Sequence, residues 1–437
     1  MSAVIPANPS TSAPVTCCDE FARMTTLSRR SLLRSAAVVG GLTAGLTTAS
    51  TIGDAFLQTS YAATRSAPAV MVVLSLRGGA DGMSLVVPHG DPVYYEARPT
   101  IGIPAERLIA KDAFFGLHPN LAPLLPLWQG GRMASVHAAG LPVPNRSHFD
   151  AIEEIEDADP GTSARIGWLN RLIGRDDYTS PLQAIQYGDT VPPTALLGPQ
   201  SVVATYDIGS VRLAGADDED GAARRSRSLR TLWAPARGPL AAGVRASLEA
   251  IEDYRAVQAS SDVPANGATY PEGGLGAALA ATARTIRADV GAEVFTIDYG
   301  SWDHHTDVGT LDSGEMQGMA TELAAALAAF FTDLGELGDK VTLVTVSEFG
   351  RRLRENDQQG LDHGFGTAML VLGAGVRGGY HGRWPGLELP EDDDSDLVVT
   401  TDYRSVLSEI VSRRLGASTA AVFPGFTPED VGVISSL

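Results

Sequence analysis

Within GSWDHHTDVG (residues 300–309), Asp303, His304, His305 and Asp307 crowd between glycines in a chain with only eight histidines. No single helix or strand face buries so many polar groups in a row comfortably, so the stretch reads as a loop with something to coordinate. Four more stretches share this character. RGGADGMS presents Asp81 after paired glycines, SEFGRRLREN carries Glu348, GLDHGFG carries Asp362 and His363, and PVPNRSHFDAIEE carries Ser147 and His148. Hard oxygen ligands plus imidazole in these proportions suit one or two divalent ions, Zn, Mn or Mg, of the kind that polarise an ester oxygen and activate a hydroxyl or a water.

Each stretch also has a plainer reading. Asp81 fits an ordinary Asp-Gly turn, and Glu348 fits an ion pair with Arg351 or Arg352. Ser147 is either the N-cap of the helix that follows, with Asp150 at its third position, or a nucleophile. His148 and Arg146 stand by first-turn amides, where a phosphoryl or sulfuryl anion would be steadied. His137, inside an apolar run, reads as a core residue.

Position gives the five stretches a common meaning. Apolar runs at 69–76, 134–138, 182–187, 293–298, 341–346 and 368–373 read as buried strands. Asp81, Asp303 and Glu348 each follow one of these runs, and Asp362 and His363 precede another. Helix-period segments at 247–258, 275–290 and 313–339 alternate with the strands. The expected fold is therefore an α/β three-layer sandwich around a mostly parallel central sheet, with reactive groups gathered at strand ends. Residues 207–274 open and close with polar, Gly/Pro-rich sequence and read as an insertion or cap that would choose the substrate.

With 437 residues, 44% of them hydrophobic, the chain can bury a large core. Ser28-Arg29-Arg30-Ser31-Leu32-Leu33, an Ala/Gly/Thr-rich run and the small residues Ser60, Ala62 and Ala63 look like a twin-arginine signal peptide. This predicts residues 1–62 as N-terminal extension and signal, 63–437 as the exported domain, the twin-arginine export machinery as a partner, and a periplasmic or extracellular location. The run is too short and too polar for a stable membrane span. Cys17 and Cys18 are the only cysteines, so residues 63–437 can form neither disulfides nor thiolate metal sites. A net charge of −19 argues against nucleic acid as a partner.

Taken together, the motifs resemble the DUF1501 family, exported proteins related to the alkaline phosphatase and sulfatase superfamily. The family's glycine-rich opening appears as Gly78-Gly79-Ala80-Asp81-Gly82-Met83-Ser84, and its Trp-Asp-Thr-His motif as Trp302-Asp303-His304-His305, where His304 replaces the threonine. SEFGR (347–351) and DHG (362–364) match it well. The resemblance implies an alkaline-phosphatase-like fold and a metal-dependent hydrolase of phosphate or sulfate esters, small or polymeric, with Asp81, Asp303, His305, Glu348, Asp362 and His363 as metal ligands and Ser147 and His148 as catalytic groups. Glu348-Phe349 stands where the superfamily commonly has Asp-His, which implies either one metal fewer or His148 in the vacant place. No Cys-x-Pro-x-Arg or Ser-x-Pro-x-Arg occurs, which speaks against a formylglycine sulfatase. The competing expectation is a cell-envelope binding or scaffold protein that keeps the fold without catalysis.

Overall fold

Runs of Val, Ile and Leu that are apolar on both faces need cover on both sides, and they find it in the middle of a sheet. The computed structural model describes residues 66–159, 165–175, 180–215, 218–390 and 395–435. Arg29, Arg30 and the run after them lie outside the described residues. Residues 64–437 form one compact unit.

The strands are β1 (Val70–Leu76), β2 (Val86–Val87), β3 (Gly116–Leu117), β4 (Met133–Gly140), β5 (Ala184–Tyr187), β6 (Val203–Thr205), β7 (Val294–Tyr299), β8 (Val341–Val346), β9 (Thr367–Gly373), β10 (Gly379–His381) and β11 (Thr401–Asp402). Nine of them form one sheet in the order β10-β4-β9-β8-β1-β7-β5-β6, with β11 also pairing β4, while β2 and β3 make a separate ribbon. All pairings in the large sheet are parallel except those of β9, which runs against β4 and β8. The longer helices are α1 (His148–Asp157), α2 (Glu219–Trp233), α3 (Pro239–Asp253), α4 (Gly274–Ala288), α5 (Glu315–Leu334) and α6 (Tyr403–Arg413).

The pleat of β1 divides the core. Val70, Val72, Leu74 and Leu76 pack on one face with Leu279 and Ile286 of α4 and Leu323, Leu327 and Phe330 of α5. Met71 and Val73 pack on the other with Ala151 and Ile155 of α1 and Val406 and Ile410 of α6. The fold is thus α/β, with helices on both faces of a mostly parallel sheet. His137 is buried and stacks on Phe115 at a centroid distance of 4.3 Å, and burial pushes its pKa down to about 4. No helix among the described residues is long and apolar enough to cross a membrane.

Differences from the sequence reading fall where periodicity has little to work on. β6, β10 and β11 are two or three residues long, too short for an alternation to register. The helix expected over 313–339 stops at Leu334, because Gly335 turns to φ 51°, and 3-10 turns carry the chain on to Lys340. The helical middle expected within 207–274 is present among the described residues, as α2, α3 and a short helix at Arg255–Ala259.

One topological detail decides where the chemistry gathers. Since β9 alone is reversed, its first residue lies at the same edge as the last residues of β1, β7 and β8. The loops bearing Asp81, Asp303, Glu348 and His363 therefore meet at the carboxyl edge of the parallel strands, where ligand sites of open α/β sheets form.

Candidate metal centre

α1 begins at this edge with Ser147 as N-cap, its hydroxyl accepting from the Asp150 amide at 3.5 Å, and the first helical residue is His148. The His148 ring is fixed from behind: Nδ1 lies 2.9 Å from Glu348 Oε1, which also accepts from the Gly78 amide at 2.7 Å. His363, just ahead of β9, has Nδ1 at 3.0 Å from the Arg146 carbonyl. His305 has Nδ1 at 3.1 Å from Asp362 Oδ1. All three Nδ1 atoms face acceptors, so each carries its hydrogen there in the neutral ring and leaves Nε2 with a bare lone pair.

Those three Nε2 atoms gather around one carboxylate oxygen. His363 Nε2 is 3.0 Å from His148 Nε2 and 2.9 Å from His305 Nε2. Asp303 Oδ1 is 3.4, 3.1 and 3.1 Å from Nε2 of His148, His305 and His363 respectively. Ligand atoms of His148, Asp303 and His363 all lie within 4.8 Å of one another, and His305 Nε2 joins them from the open side. Four lone-pair donors and no hydrogen among them repel unless a cation, proton or metal, lies between. Donors about 2.0–2.1 Å from a tetrahedral ion stand roughly 3.3 Å apart, close to the spacings here. The carboxylate and carbonyl acceptors behind each ring are the usual supports of metal-binding imidazoles. By donor chemistry and by spacing, these residues fit a divalent ion.

The electrostatics favour a cation among these donors, a proton where no ion is bound. Burial works against charge on His148, yet hydrogen bonds to Asp303 and Glu348 raise its pKa to about 9. Burial would raise Asp303, but the three imidazoles and Arg351 hold it far below the usual carboxylate range. The Arg351 guanidinium is buried and donates to Asp303 Oδ1 at 2.7 Å, to the Gly79, Leu361 and Trp302 carbonyls at 2.7, 2.9 and 3.1 Å, and also to the Gly78 carbonyl. It therefore ties the loops after β1 and β7 to the one before β9. Gly78, at φ +116°, permits the close approach this needs, since a Cβ there would stand 2.6 Å from the Asp303 amide nitrogen. Access differs among the members. The side chains of His148 and His363 are 9% and 11% exposed, those of Asp303 and His305 27% and 32%, so the group opens to solvent on the His305 side.

The structure thus brings together His148, Asp303, His305 and His363, with Glu348 and Asp362 one step behind as ring supports. It does not bring Asp81 to the group: both its oxygens are held by buried Arg98, at 2.5 and 3.0 Å. Arg351 sits on Asp303, while Glu348 takes His148, so neither of the pairings read for Glu348 forms its main contact. Arg146 pairs with Asp396, and its carbonyl rather than its charge serves the group. His304 turns away, buried with Nε2 3.3 Å from Met319 Sδ. Arg98 and Arg351 escaped sequence reasoning because nothing local distinguishes a buried, bridging arginine from a surface one.

Among curated proteins, none matches the chain by sequence. Several solved structures resemble it, among them three at 9–12% identity. An alkaline phosphatase superfamily protein from Vibrio parahaemolyticus is 12% identical, covering 72% of this chain and 63% of its own length, with a TM-score of 0.30. The sulfatase PsFucS1 from Pseudoalteromonas sp. is 10% identical, with coverages of 85% and 72% and a TM-score of 0.36. The lipoteichoic acid synthase LtaP from Listeria monocytogenes is 9% identical, with coverages of 74% and 67% and a TM-score of 0.26. The chain thus spans less than two thirds of the Vibrio protein's length. Residues 133–403, which hold all four gathered residues and both ring supports, match the family model described as "Protein of unknown function (DUF1501)", and the chain belongs to that family.

Proposed function

We propose that the chain is an exported, metal-dependent hydrolase of phosphate or sulfate esters, with His148, Asp303 and His363 holding a divalent ion and His305 closing the group on its open side. One observation carries the proposal: imidazole Nε2 atoms gather around Asp303 Oδ1 at 3.1–3.4 Å, with every Nδ1 already committed elsewhere. When bound, such an ion polarises an ester oxygen and eases ionisation of a hydroxyl or water.

The chain's own residues supply the rest. Glu348 and the Arg146 carbonyl orient His148 and His363. Arg351 keeps Asp303 ionised and in place. His305 stands outside the three residues that hold the ion; anchored on Asp362 and partly exposed, it is the group able to take or return a proton at Nε2, its pKa raised chiefly by the Asp303 hydrogen bond. Attack comes from Ser147, beside the ligand His148, or from water. Export rests on the Arg29-Arg30 segment read from sequence.

Purified protein is expected to carry near-stoichiometric Zn, Mn or Mg and to hydrolyse aryl phosphate or aryl sulfate esters. Chelation should remove both metal and activity, and re-addition of the ion should restore them. Protein that takes up none of these ions under any condition would sink the proposal. Glu348→Gln, which weakens the carboxylate behind His148, is expected to lower metal affinity by about 10–100-fold while leaving the fold intact, as read by competition with a chromophoric chelator. An unchanged affinity would remove Glu348 from its supporting role.

A further inference from the structure

The chain is strongly acidic, yet residues 221–248 contain six arginines and no aspartate or glutamate, the acids of the two helices standing only at the start of α2 (Glu219, Asp220) and the end of α3 (Glu249, Glu252, Asp253). They form most of a helical hairpin in which α2 runs out, residues 234–238 turn, and α3 returns. Two of the arginines hold the hairpin itself. Arg230 donates to the Leu248 carbonyl at 3.0 Å, and Arg245 clamps the turn through the Trp233 and Ala236 carbonyls at 3.2 and 3.1 Å. The other four, Arg224, Arg225, Arg227 and Arg237, are exposed and make no ion pair among the described residues. In a chain with 52 acidic residues, four unpaired arginines side by side are conspicuous.

The same hairpin sets two large apolar side chains close together at its tip. No residue of α2 is buried, and Leu232 and Leu240, flanking the turn, are 67% and 71% exposed. At 3.6 residues per turn, Arg227, Arg224, Leu232 and Arg225 fall within an arc of about 160° on one face of α2, a face that carries one acid, Asp220 in the first turn. Cationic groups along a helix with large apolar residues at its tip are the makings of an interfacial membrane contact.

We infer that the α2–α3 hairpin is a peripheral docking surface for an anionic lipid bilayer, with Arg224, Arg225, Arg227 and Arg237 on the headgroups and Leu232 and Leu240 entering the interface. Charge complementarity argues for an anionic partner. The leucines argue for lipid rather than nucleic acid, because a phosphate backbone gives apolar side chains nothing, and α2 offers no exposed aromatic row for bases to stack on. The chain's net negative charge does not forbid the contact, since acids more than a Debye length of about 8 Å from the bilayer are largely screened at physiological salt, and those nearer, Asp218, Glu219 and Asp220, stand at the end of α2 away from Leu232 and the turn.

The test is sedimentation of the full chain with vesicles of phosphatidylglycerol mixed with phosphatidylcholine, against vesicles of phosphatidylcholine alone. Binding is expected only to the former and should weaken with salt. Arg224→Glu/Arg225→Glu/Arg227→Glu should lower the affinity by about 100-fold, and Leu232→Ser/Leu240→Ser by about 10-fold. All these side chains are exposed, so circular dichroism should be unchanged. The N-terminal apolar run is the same in every variant, so the comparison between variants isolates the hairpin. Equal binding to neutral vesicles, or binding indifferent to the arginine replacements, overturns the inference. Tight heparin binding, combined with vesicle affinity indifferent to the leucine replacements, would assign the hairpin to soluble polyanions and overturn it as well.

Discussion

Asp303→Asn combined with His363→Ala is expected to abolish metal retention, with a loss of affinity well beyond the ~10–100-fold typical of residues that only support a ligand, and to take ester hydrolysis with it. Asparagine is the better choice at 303 because its carbonyl oxygen can still accept from Arg351, so the buried guanidinium keeps a partner while the ligand charge is lost. Arg351 also retains its bonds to the Gly78, Gly79, Trp302 and Leu361 carbonyls, which hold the surrounding loops together. At His363, alanine removes the Nε2 that approaches both of the other imidazoles. Metal analysis after gel filtration, thermal unfolding and ester turnover together read the outcome. A folded double variant with full metal content would place the ion elsewhere, and one that loses metal but keeps turnover would detach the chemistry from the ion.

The general location of this group was legible because it follows from topology. Apolar runs announce strands, strands that alternate with helices announce a parallel sheet, and polar residues at strand ends then share an edge. The division of labour was not legible. Whether a histidine presents Nε2 or Nδ1 depends on which atom meets a carbonyl or carboxylate, and the acceptor for His363 is a backbone oxygen 217 residues away. Glu348 and Asp303 look alike in sequence, each beyond an apolar strand. Only the placement of His148 between them makes Glu348 a ring support and Asp303 part of the group. The reversal of β9, which delivers His363 from the start of a strand rather than its end, leaves no trace in a hydrophobic pattern.

Asp81 illustrates the same limit and yields the largest expected effect on stability. Its carboxylate and the Arg98 guanidinium meet in two hydrogen bonds, and their side chains are 2% and 0% exposed. Arg98 also donates to the Leu353 and Arg352 carbonyls at 3.0 and 3.1 Å, bracing the segment that follows Arg351. Asp81→Ala would leave a buried cation with only neutral acceptors, and the expected cost is about 3–5 kcal/mol in chemical denaturation. Removing both charges in Asp81→Leu/Arg98→Met should recover much of that loss, because the desolvation of two ions disappears with them. Asp81→Asn, which keeps size and one acceptor, should be destabilised less and should retain metal like the parent chain. This last outcome separates a structural pair from a ligand: Asp81→Asn protein that stays as stable as the parent but loses its ion would return Asp81 to the metal centre.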